Sequence, residues 1–500
     1  MPNIHANQIQ QYVNWSEDTQ LGGNYLVWGL SSQVPEVHLP MQAAIPTPLE
    51  SNPAFSSAPL GVTAVLILST LVAALGGLLF GFDTAVIAGT THSLTQVFGL
   101  TPGTLGVTVS SALWGTIVGA LLAGYAGEKI GRRDGLRVMA VLYLLSAIAC
   151  ALSWSWPVLL AARILGGLGI GGSSVLGPMY IAEVSPARLR GRLVGFFQFN
   201  IVVGILLAYL SNYLVSLRHL GVIEWRWQLA VPALPSALFL VLLFAIPRSP
   251  RWLVKKKRLH DARNVLARIG EADPDSELSH IVESVESESH LSGEKLFSRN
   301  HRLPIFLAMT IAAFSQFSGI NAVLYYLNDI FSAAGASATS GGIQAVAVGA
   351  TNLVFTTLAM LTIDKFGRRV LLLIGSVGMA WTLAGIAAIF YTHTHRELLV
   401  WLLIAYCASF SFSLGAVIWV YMSEVFPNGV RSKGQSLGSI THWIVNAIIS
   451  AAFPAIAAHS AASPFVFFAA MMVVQFFVVW FIYPETKNVS LEQMHLKMEA

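Results

Sequence analysis

Two ionisable side chains lie inside long apolar stretches of the chain, where few groups can solvate a charge. Asp83 lies in the first of these stretches, and Arg163 begins a glycine-rich run in the fourth. A lone charge at bilayer depth costs about 2.5–3.5 kcal/mol on insertion scales, so the two side chains are expected to pair. The pair could be a static structural contact. We favour a proton switch, in which water access and loss of the Arg163 contact raise the affinity of the Asp83 carboxylate for a proton.

The composition predicts that membrane-spanning helices position these residues. Hydrophobic residues make up 55% of the 500 residues and charged residues only 11%, whereas about a quarter of the residues in a typical globular protein are charged. Apolar stretches of about 20 residues, the length that crosses a bilayer, recur from residue 60 to residue 483. We therefore predict an all-α membrane protein with twelve transmembrane helices, near 60–92, 106–126, 135–153, 157–182, 193–216, 228–246, 303–333, 342–363, 369–392, 397–425, 432–455 and 463–483.

A polar stretch at 247–302 divides the spans into two sets of six. Within it, apolar residues recur at helical spacing over 259–269 and 278–285, which predicts two amphipathic helices at the cytoplasmic face. A disordered linker is the alternative. The predicted organisation is a disordered N-terminal tail at 1–59, a six-helix bundle at 60–246, the helical linker at 247–302, a second six-helix bundle at 303–483 and a cytoplasmic tail at 484–500.

Two motifs occur once in each half of the chain. Gly131-Arg132-Arg133 follows the second span, and Gly367-Arg368-Arg369 follows the eighth. A Glu-x-x-Pro-x-x-x-Arg motif begins at Glu183 after the fourth span and at Glu424 after the tenth. Because the motifs keep step with the span number, they indicate parallel repeats related by an axis along the membrane normal. A site between the two bundles would follow.

These motifs bring acids and bases together at one membrane surface. We expect inter-helix ion pairs that latch the cytoplasmic side when it is closed, because acids accompany bases in both halves. Topology signalling by the positive charges alone is the alternative. The cluster residues are Glu183, Arg132, Arg133 and Arg190 in the first half and Glu424, Arg368, Arg369 and Arg431 in the second.

The distribution of positive charge predicts the orientation in the membrane. Of the 29 Lys and Arg residues, Arg218, Arg226 and Arg396 fall in loops on one side and Arg163 falls within a span, while the others all lie in segments on the opposite side. By the positive-inside rule that side is cytoplasmic, and it includes both termini. The net charge of +4 therefore does not indicate a nucleic-acid partner.

The sequence lacks the residue groupings typical of an enzyme. No cluster of metal ligands and no nucleophile–base arrangement stands out, so we expect neither catalysis nor a bound metal or cofactor. Both cysteines, Cys150 and Cys407, fall inside predicted spans, and no disulfide framework is indicated.

Three stretches, at 76–87, 163–192 and 316–326, resemble the sugar porter family of the major facilitator superfamily. The resemblance is closest to bacterial proton-coupled symporters for xylose and similar sugars, and it covers roughly residues 60–495. It implies the major facilitator fold and a proton-coupling role for the aspartate at the position of Asp83. Facilitative relatives carry a neutral residue at this position.

A monosaccharide presents hydroxyl groups around a ring with apolar faces, so its site needs amide side chains and an aromatic platform. Interhelical hydrogen bonding is the alternative role for a single amide in a helix. Gly319 lies in the seventh span, where a flexible or broken helix would suit a moving gate. The resemblance implies sugar binding by Gln198, Gln316, Asn321 and Trp419, in a cavity that Phe80, Tyr325 and Trp443 also line.

The chain departs from the family pattern at several sugar-site positions. The paired glutamines of the family read Ser315-Gln316, and the Gly-Pro motif of the tenth span reads Gly415-Ala416, without its helix-weakening proline. His442 stands where the resembling symporters have an amide; it could bind sugar, respond to pH or simply pack. Arg248 replaces a glutamate, so an ion pair at this position is not expected. These departures leave the identity of the sugar open.

The sequence thus predicts a monomeric transporter in the lipid bilayer of the bacterial inner membrane, which imports a monosaccharide with a proton by alternating access. A facilitator that moves sugar without a proton is the first alternative. A membrane sugar sensor that binds without transport is the second.

Overall fold

The computed structural model describes residues 63–291, 296–335, 337–427 and 429–487. The predicted tail at 1–59 and most of the one at 484–500 lie outside these residues. Every regular element of the described residues is a helix, and short 3₁₀ turns occur at Ile87–Gly89, Gly221–Ile223, Arg299–His301 and Arg396–Leu398. The α-helices are α1 (Ala64–Val86), α2 (Thr91–Phe98), α3 (Pro102–Lys129), α4 (Arg132–Leu152), α5 (Trp156–Val184), α6 (Arg190–Ser216), α7 (Glu224–Ala230), α8 (Ala233–Leu242), α9 (Pro250–Lys255), α10 (Leu259–Ile269), α11 (Pro274–Leu291), α12 (Arg302–Phe317), α13 (Ile320–Tyr325), α14 (Leu327–Ala333), α15 (Ala338–Phe366), α16 (Arg368–Thr392), α17 (Leu399–Phe412), α18 (Leu414–Glu424), α19 (Arg431–His459) and α20 (Ser463–Ile482).

Twelve helical segments of the described chain are long and apolar enough to cross a membrane, which confirms the predicted number. The first is Ala64–Gly89 and the last is Ser463–Ile482. Several begin at the residue types that favour a helix start. Thr63 accepts a hydrogen bond from the Leu66 amide at the start of α1, and Thr101 does the same for Thr104 beside Pro102 at the start of α3.

Two spans are interrupted near their middle. The seventh span breaks at Gly319, which lies between α12 and α13 and has a left-handed backbone with a φ of 83°. This confirms the broken helix that the sequence suggested at Gly319. The tenth span breaks at Ser413 between α17 and α18, although the chain has no proline there. A broken helix leaves backbone groups unpaired, which is tolerated inside a membrane protein only where protein or a water-filled cavity surrounds them.

Helices of each half pack mainly on one another, and two pairs of long helices form the most extensive contacts between the halves. In the first half α3 and α4 both pack on α5, and in the second half α16 packs on α20. The halves meet where α3 packs on α19 and where α6 packs on α15. At Gly106 in α3, a Cβ atom would lie 2.0 Å from the carbonyl oxygen of Ala451 in α19, so this contact requires the absence of a side chain.

The segment between the halves forms three helices, α9, α10 and α11. The last two coincide with the predicted amphipathic helices and confirm them, whereas α9 was not expected from the sequence. Trp252 of α9 donates its indole hydrogen to the Glu128 carbonyl at the end of α3. We call the membrane surface on which these three helices lie the linker face, and the opposite surface the distal face.

Candidate functional site

A cavity of about 110 Å³ lies between the two halves, at the level of the breaks in the seventh and tenth spans. Its walls come from α1 and α6 of the first half and from α12, α13, α15, α17, α18 and α19 of the second. We call it the central cavity. The structure brings all nine of the predicted sugar-site residues to its walls: Phe80, Gln198, Ser315, Gln316, Asn321, Tyr325, Trp419, His442 and Trp443.

Amide side chains in the central cavity form a short chain of hydrogen bonds. Asn321 Nδ2 donates to Gln316 Oε1 at 2.8 Å. Gln316 Nε2 in turn lies 3.2 Å from Ser315 Oγ, and 3.1 and 3.3 Å from the two ring nitrogens of His442. Gln316 is only 2% exposed, so these contacts satisfy an amide that would otherwise be buried without partners.

Aromatic rings cover one side of the same cavity. The Trp419 and His442 ring centroids lie 5.2 Å apart, and those of His442 and Trp443 lie 5.0 Å apart. Phe80 of the first half contacts Trp443 of the second, with centroids 5.6 Å apart. Trp419 remains 37% exposed, so its ring offers a platform that the protein itself does not cover.

Gln198 differs from the other amides of the cavity. It projects from α6 of the first half and has no hydrogen-bond partner among the described residues, so its carbonyl and amino groups are both available to a substrate.

The cavity also contains polar residues that were not predicted. Asn352 of α15 accepts hydrogen bonds from Ser411 at 2.8 Å and from Thr356 at 3.2 Å, and both Asn352 and Thr356 line the cavity. An amide in the middle of the eighth apolar span is a signal that the buried-polar rule could have detected. Thr84 of α1 is a further lining residue.

Asp83 and Arg163 lie in a separate, smaller cavity within the first half. Arg163 Nη2 is 4.0 Å from Asp83 Oδ2, and the two side chains are 3% and 21% exposed. The predicted proximity is therefore present, but the contact is a loose ion pair rather than a hydrogen bond, and Arg163 Nε has no partner in the described chain. Tyr143, Ser146 and Cys150 line the same small cavity.

A second, larger cavity of about 540 Å³ connects the central cavity with the linker face. The two share Phe80, Gln198, Trp419 and Trp443 among their lining residues. The larger one continues to Gly191 at the start of α6 and Gln435 near the start of α19, where those helices meet the linker face.

On the distal side the two halves are in contact. Thr91 Oγ1 of α2 donates to Asp329 Oδ1 of α14 at 3.0 Å. The Tyr209 hydroxyl of α6 donates to the Leu324 carbonyl of α13 at 2.8 Å. The central cavity is therefore accessible from the linker face and closed towards the distal face.

At the linker face, the two repeated motifs form an ion pair with each other within each half. Arg132 Nε donates to Glu183 Oε1 at 3.0 Å, and Glu183 also accepts a hydrogen bond from the Ser249 hydroxyl. Arg368 donates to both oxygens of Glu424, at 2.8 and 3.1 Å. Two of the predicted cluster residues thus pair directly with the acids.

The other four predicted basic residues have different partners. Arg133 interacts with Asp134 and with the Ile246 carbonyl, and Arg190 donates to the Ala182 carbonyl. Arg369 donates to the Trp480 carbonyl, and Arg431 donates to the Phe426 carbonyl.

The expectation that Arg248 has no ion pair is wrong. Its Nη2 lies 3.0 Å from Asp134 Oδ2, because α4 presents an acid near the start of α9. Asp134 is therefore the shared ion-pair partner of Arg133, Arg137 and Arg248.

A helical protein with twelve spans, whose two halves enclose a polar cavity open to one membrane face, has the architecture of a membrane transporter. The chain belongs to the sugar transporter family, because the family model described as "Sugar (and other) transporter" matches residues 69–497. This family consists of transporters and not of enzymes, as the sequence predicted.

Three proton–sugar symporters match between 85% and 90% of the chain. The D-xylose-proton symporter of Escherichia coli (strain K12) is 37% identical, over 86% of this chain and 95% of its own. The arabinose-proton symporter of Bacillus subtilis (strain 168) is also 37% identical, over 90% and 98%. The galactose-proton symporter of E. coli (strain K12) is 34% identical, over 85% and 92%.

Solved structures of the E. coli xylose transporter XylE have the same fold, the major facilitator fold. The inward open conformation has a TM-score of 0.77 and 36% identity, covering 86% of this chain and 99% of XylE. The form bound to 6-bromo-6-deoxy-D-glucose has a TM-score of 0.71 and 36% identity, covering 87% and 99%. The predicted fold class is confirmed.

Proposed function

We propose that this chain imports a monosaccharide, a pentose or a hexose, together with a proton across the bacterial inner membrane by alternating access. The observation that carries the proposal is the central cavity, where amide and aromatic side chains of both halves converge. The proton–sugar symporters among the relatives support the same conclusion.

The central cavity has the chemistry that a sugar requires. Gln198 and the exposed ring of Trp419 offer hydrogen-bonding groups and an apolar face, one from each half of the protein. A substrate that contacts both halves stabilises their approach, and this is how sugar binding would promote movement of one half against the other.

Proton coupling follows from the position of Asp83 on α1. Phe80, one helical turn earlier, and Thr84, the next residue, both line the central cavity, so α1 joins the sugar site to the acidic site. Protonation of Asp83 removes its attraction to Arg163 and lets α1 and α5 shift. A membrane potential supplies about 2.3 kcal/mol for each charge moved across 100 mV.

The linker face is the cytoplasmic face in this proposal, because the positive-inside rule assigns the loops of that surface to the cytoplasm together with both termini. The structure then represents an inward-facing state. The ion pairs of Glu183 and Glu424 act as parts of cytoplasmic gates, in which the neighbouring arginines exchange partners as that side closes. One chain encloses the whole sugar site, so a monomer in the bilayer is sufficient.

Asp83→Asn tests the proposal in proteoliposomes. The variant should still exchange labelled for unlabelled sugar, since the central cavity is intact, but it should not accumulate sugar when a pH gradient is imposed. Asp261→Asn, which changes a half-exposed acid of α10, is the control and should accumulate sugar normally. Competition by D-xylose, L-arabinose, D-galactose and D-glucose in the exchange assay identifies the substrate.

Each failure of this test has a distinct meaning. Normal accumulation by Asp83→Asn would exclude Asp83 from coupling. Sugar entry that ignores the pH gradient in the unmodified protein would instead identify a facilitator. Binding without any exchange would identify a sensor.

A further inference from the structure

The contact that closes the distal face contains a carboxyl group. Asp329 of α14 accepts a hydrogen bond through Oδ1 from the Thr91 hydroxyl of α2, at 3.0 Å. The two helices belong to different halves, so this bond exists only while the distal ends are together. Thr91 is 1% exposed, so closure removes the contact from water. We call the Thr91–Asp329 contact the distal gate.

The second oxygen of the same carboxyl group has no partner. Asp329 Oδ2 is buried and makes no hydrogen bond within the described chain. An ionised carboxyl group is costly to bury unless donors or an opposite charge compensate it. A proton on Oδ2 removes the negative charge and leaves the bond from Thr91 to Oδ1 unchanged. The closed gate therefore accommodates the neutral acid better than the ionised one.

His92 is a second ionisable side chain at the distal gate. It follows Thr91 on α2, interacts electrostatically with Asp329, and lines with Asp329 a cavity of about 440 Å³. His92 is exposed, so it exchanges protons with water on the distal side. A protonated imidazole beside Asp329 compensates the negative charge of an ionised carboxyl group. A proton on either residue therefore favours the closed gate.

Among the described residues, His92 has the largest electrostatic effect on Asp329. Tyr326 is the nearest titratable residue in the chain, and its hydroxyl donates to the Ser450 carbonyl. The elements that pack on α2 and α14 or line the cavity carry these further charged or titratable residues: Tyr325 on α13, Asp364 and Lys365 on α15, Glu224 and Arg226 on α7, Tyr125, Glu128 and Lys129 on α3, Arg368, Arg369 and Tyr391 on α16, Arg396 in the turn that follows α16, and Arg431, Lys433, His442 and His459 on α19; the turn Ile87–Gly89 and α20 have none.

We propose that Asp329 and His92 form a proton-binding site in the distal gate, which takes up one proton when the two halves close there and releases it when they part. This inference rests on the proposed alternating access, in which the distal face is the periplasmic one. Because the closed gate binds the proton more tightly, acid outside the cell favours closure over the loaded sugar site. The proton enters and leaves on the same side, so it is not carried across the membrane and coupling through Asp83 is unaffected.

Spin labels on two introduced cysteines measure the opening of the distal gate. Gln96 of α2 and Ala458 of α19 are exposed residues of different halves that line the cavity at the gate, whereas the native Cys150 and Cys407 are buried. The distribution of distances between the labels gives the ratio of distal-open to distal-closed molecules. All label measurements use Asp83→Asn, so that Asp83 does not titrate.

In this protein the open-to-closed ratio should rise about tenfold from pH 5.0 to pH 8.0, the change expected when closure raises the proton affinity of the gate by one pKa unit. A further Asp329→Asn substitution keeps the shape of the side chain without an ionisable group. It should hold the ratio near its pH 5.0 value at both pH values. Ser332→Ala changes an exposed residue of the same helix and is the matched control, which should retain the tenfold change.

A purely structural role of Asp329 would shift the ratio by the same factor at both pH values. That result would overturn the inference, as would a ratio that does not depend on pH before Asp329 is changed.

Sugar uptake in proteoliposomes separates the gate proton from the transported one. Asp329→Asn with Asp83 intact should still accumulate sugar in an imposed pH gradient. Loss of accumulation with sugar exchange intact would make Asp329 part of the coupling itself and contradict the inference. Failure of the unmodified protein to accumulate sugar would instead count against the proposed function, and the label distances would still decide whether the gate binds a proton.

Discussion

The hydrogen bonds of the central cavity distinguish two kinds of amide. Gln316 is engaged through both its oxygen and its nitrogen, so its first role is to orient Asn321 and His442. Gln198 has no partner in the described chain and can give both of its groups to a substrate. Gln198 and Gln316 are both glutamines, but their surroundings give them different roles: Gln316 orients its neighbours, and Gln198 can bind a substrate.

This difference leads to a prediction for Gln198→Ala. Loss of one or two hydrogen bonds to sugar hydroxyls should raise the KM for uptake about tenfold, because each such bond contributes roughly 1 kcal/mol. Gln435→Ala is the matched control, since Gln435 lines the larger cavity near the linker face but not the central cavity. Initial rates of uptake over a range of sugar concentrations give both values. An equal effect of the two substitutions would show that Gln198 does not contact the sugar.

At the scale of elements, the linker helices are joined to the spans by buried polar contacts. Glu183 at the end of α5 contacts Arg132 at the start of α4 and Ser249 at the start of α9. The Arg132 side chain is only 4% exposed, so its charge depends on these protein partners rather than on water.

Glu183→Ala should therefore destabilise the protein by about 3 kcal/mol, the lower end of the range for removing one partner of a buried ion pair. The lower end is expected because Arg132 keeps its hydrogen bond to the Gly127 carbonyl. Asp261→Asn breaks a half-exposed pair with Arg258 and should cost about 0.5 kcal/mol or less. Thermal unfolding in detergent compares the two. Similar melting temperatures would mean that solvent already screens the Glu183 pair.

At the scale of the whole molecule, closure of the distal face depends on the close approach of α3 and α19. Gly106 permits this approach, because an added Cβ atom would lie 2.0 Å from the Ala451 carbonyl oxygen. The same region includes the Thr91–Asp329 hydrogen bond between the halves. A side chain at Gly106 should therefore favour the state in which the distal ends of α3 and α19 are farther apart.

Gly106→Ala should slow sugar uptake and open the distal face. Gly103→Ala adds the same methyl group on the same helix, where the nearest atom is 3.9 Å away, and should have little effect. A cysteine introduced at Ile330, which lines a cavity beside the distal contact, reports opening through its rate of modification by a water-soluble thiol reagent. If the rate at Ile330 is unchanged by Gly106→Ala, the α3–α19 contact does not control distal closure.

The sequence by itself determined the class of the protein and the number of spans. Apolar length and charge density decide whether a segment enters a bilayer, and both are local properties of the chain. The helices α10 and α11 were predictable for the same reason, because the helical spacing of their apolar residues is also a local property of each segment. The short helix α9 was missed because it has too few residues to show such a period.

Only the tertiary structure decided how the polar side chains pair. Nothing in the order of residues shows that Arg248 would meet Asp134, that Arg132 rather than Arg133 would reach Glu183, or that Asn352 would enter the central cavity. These contacts join residues far apart in the chain, and a difference of one residue turns a side chain by about 100° around its helix. The packing of one helix on another therefore selects which charges meet, which amide remains free, and which membrane face the cavity opens to.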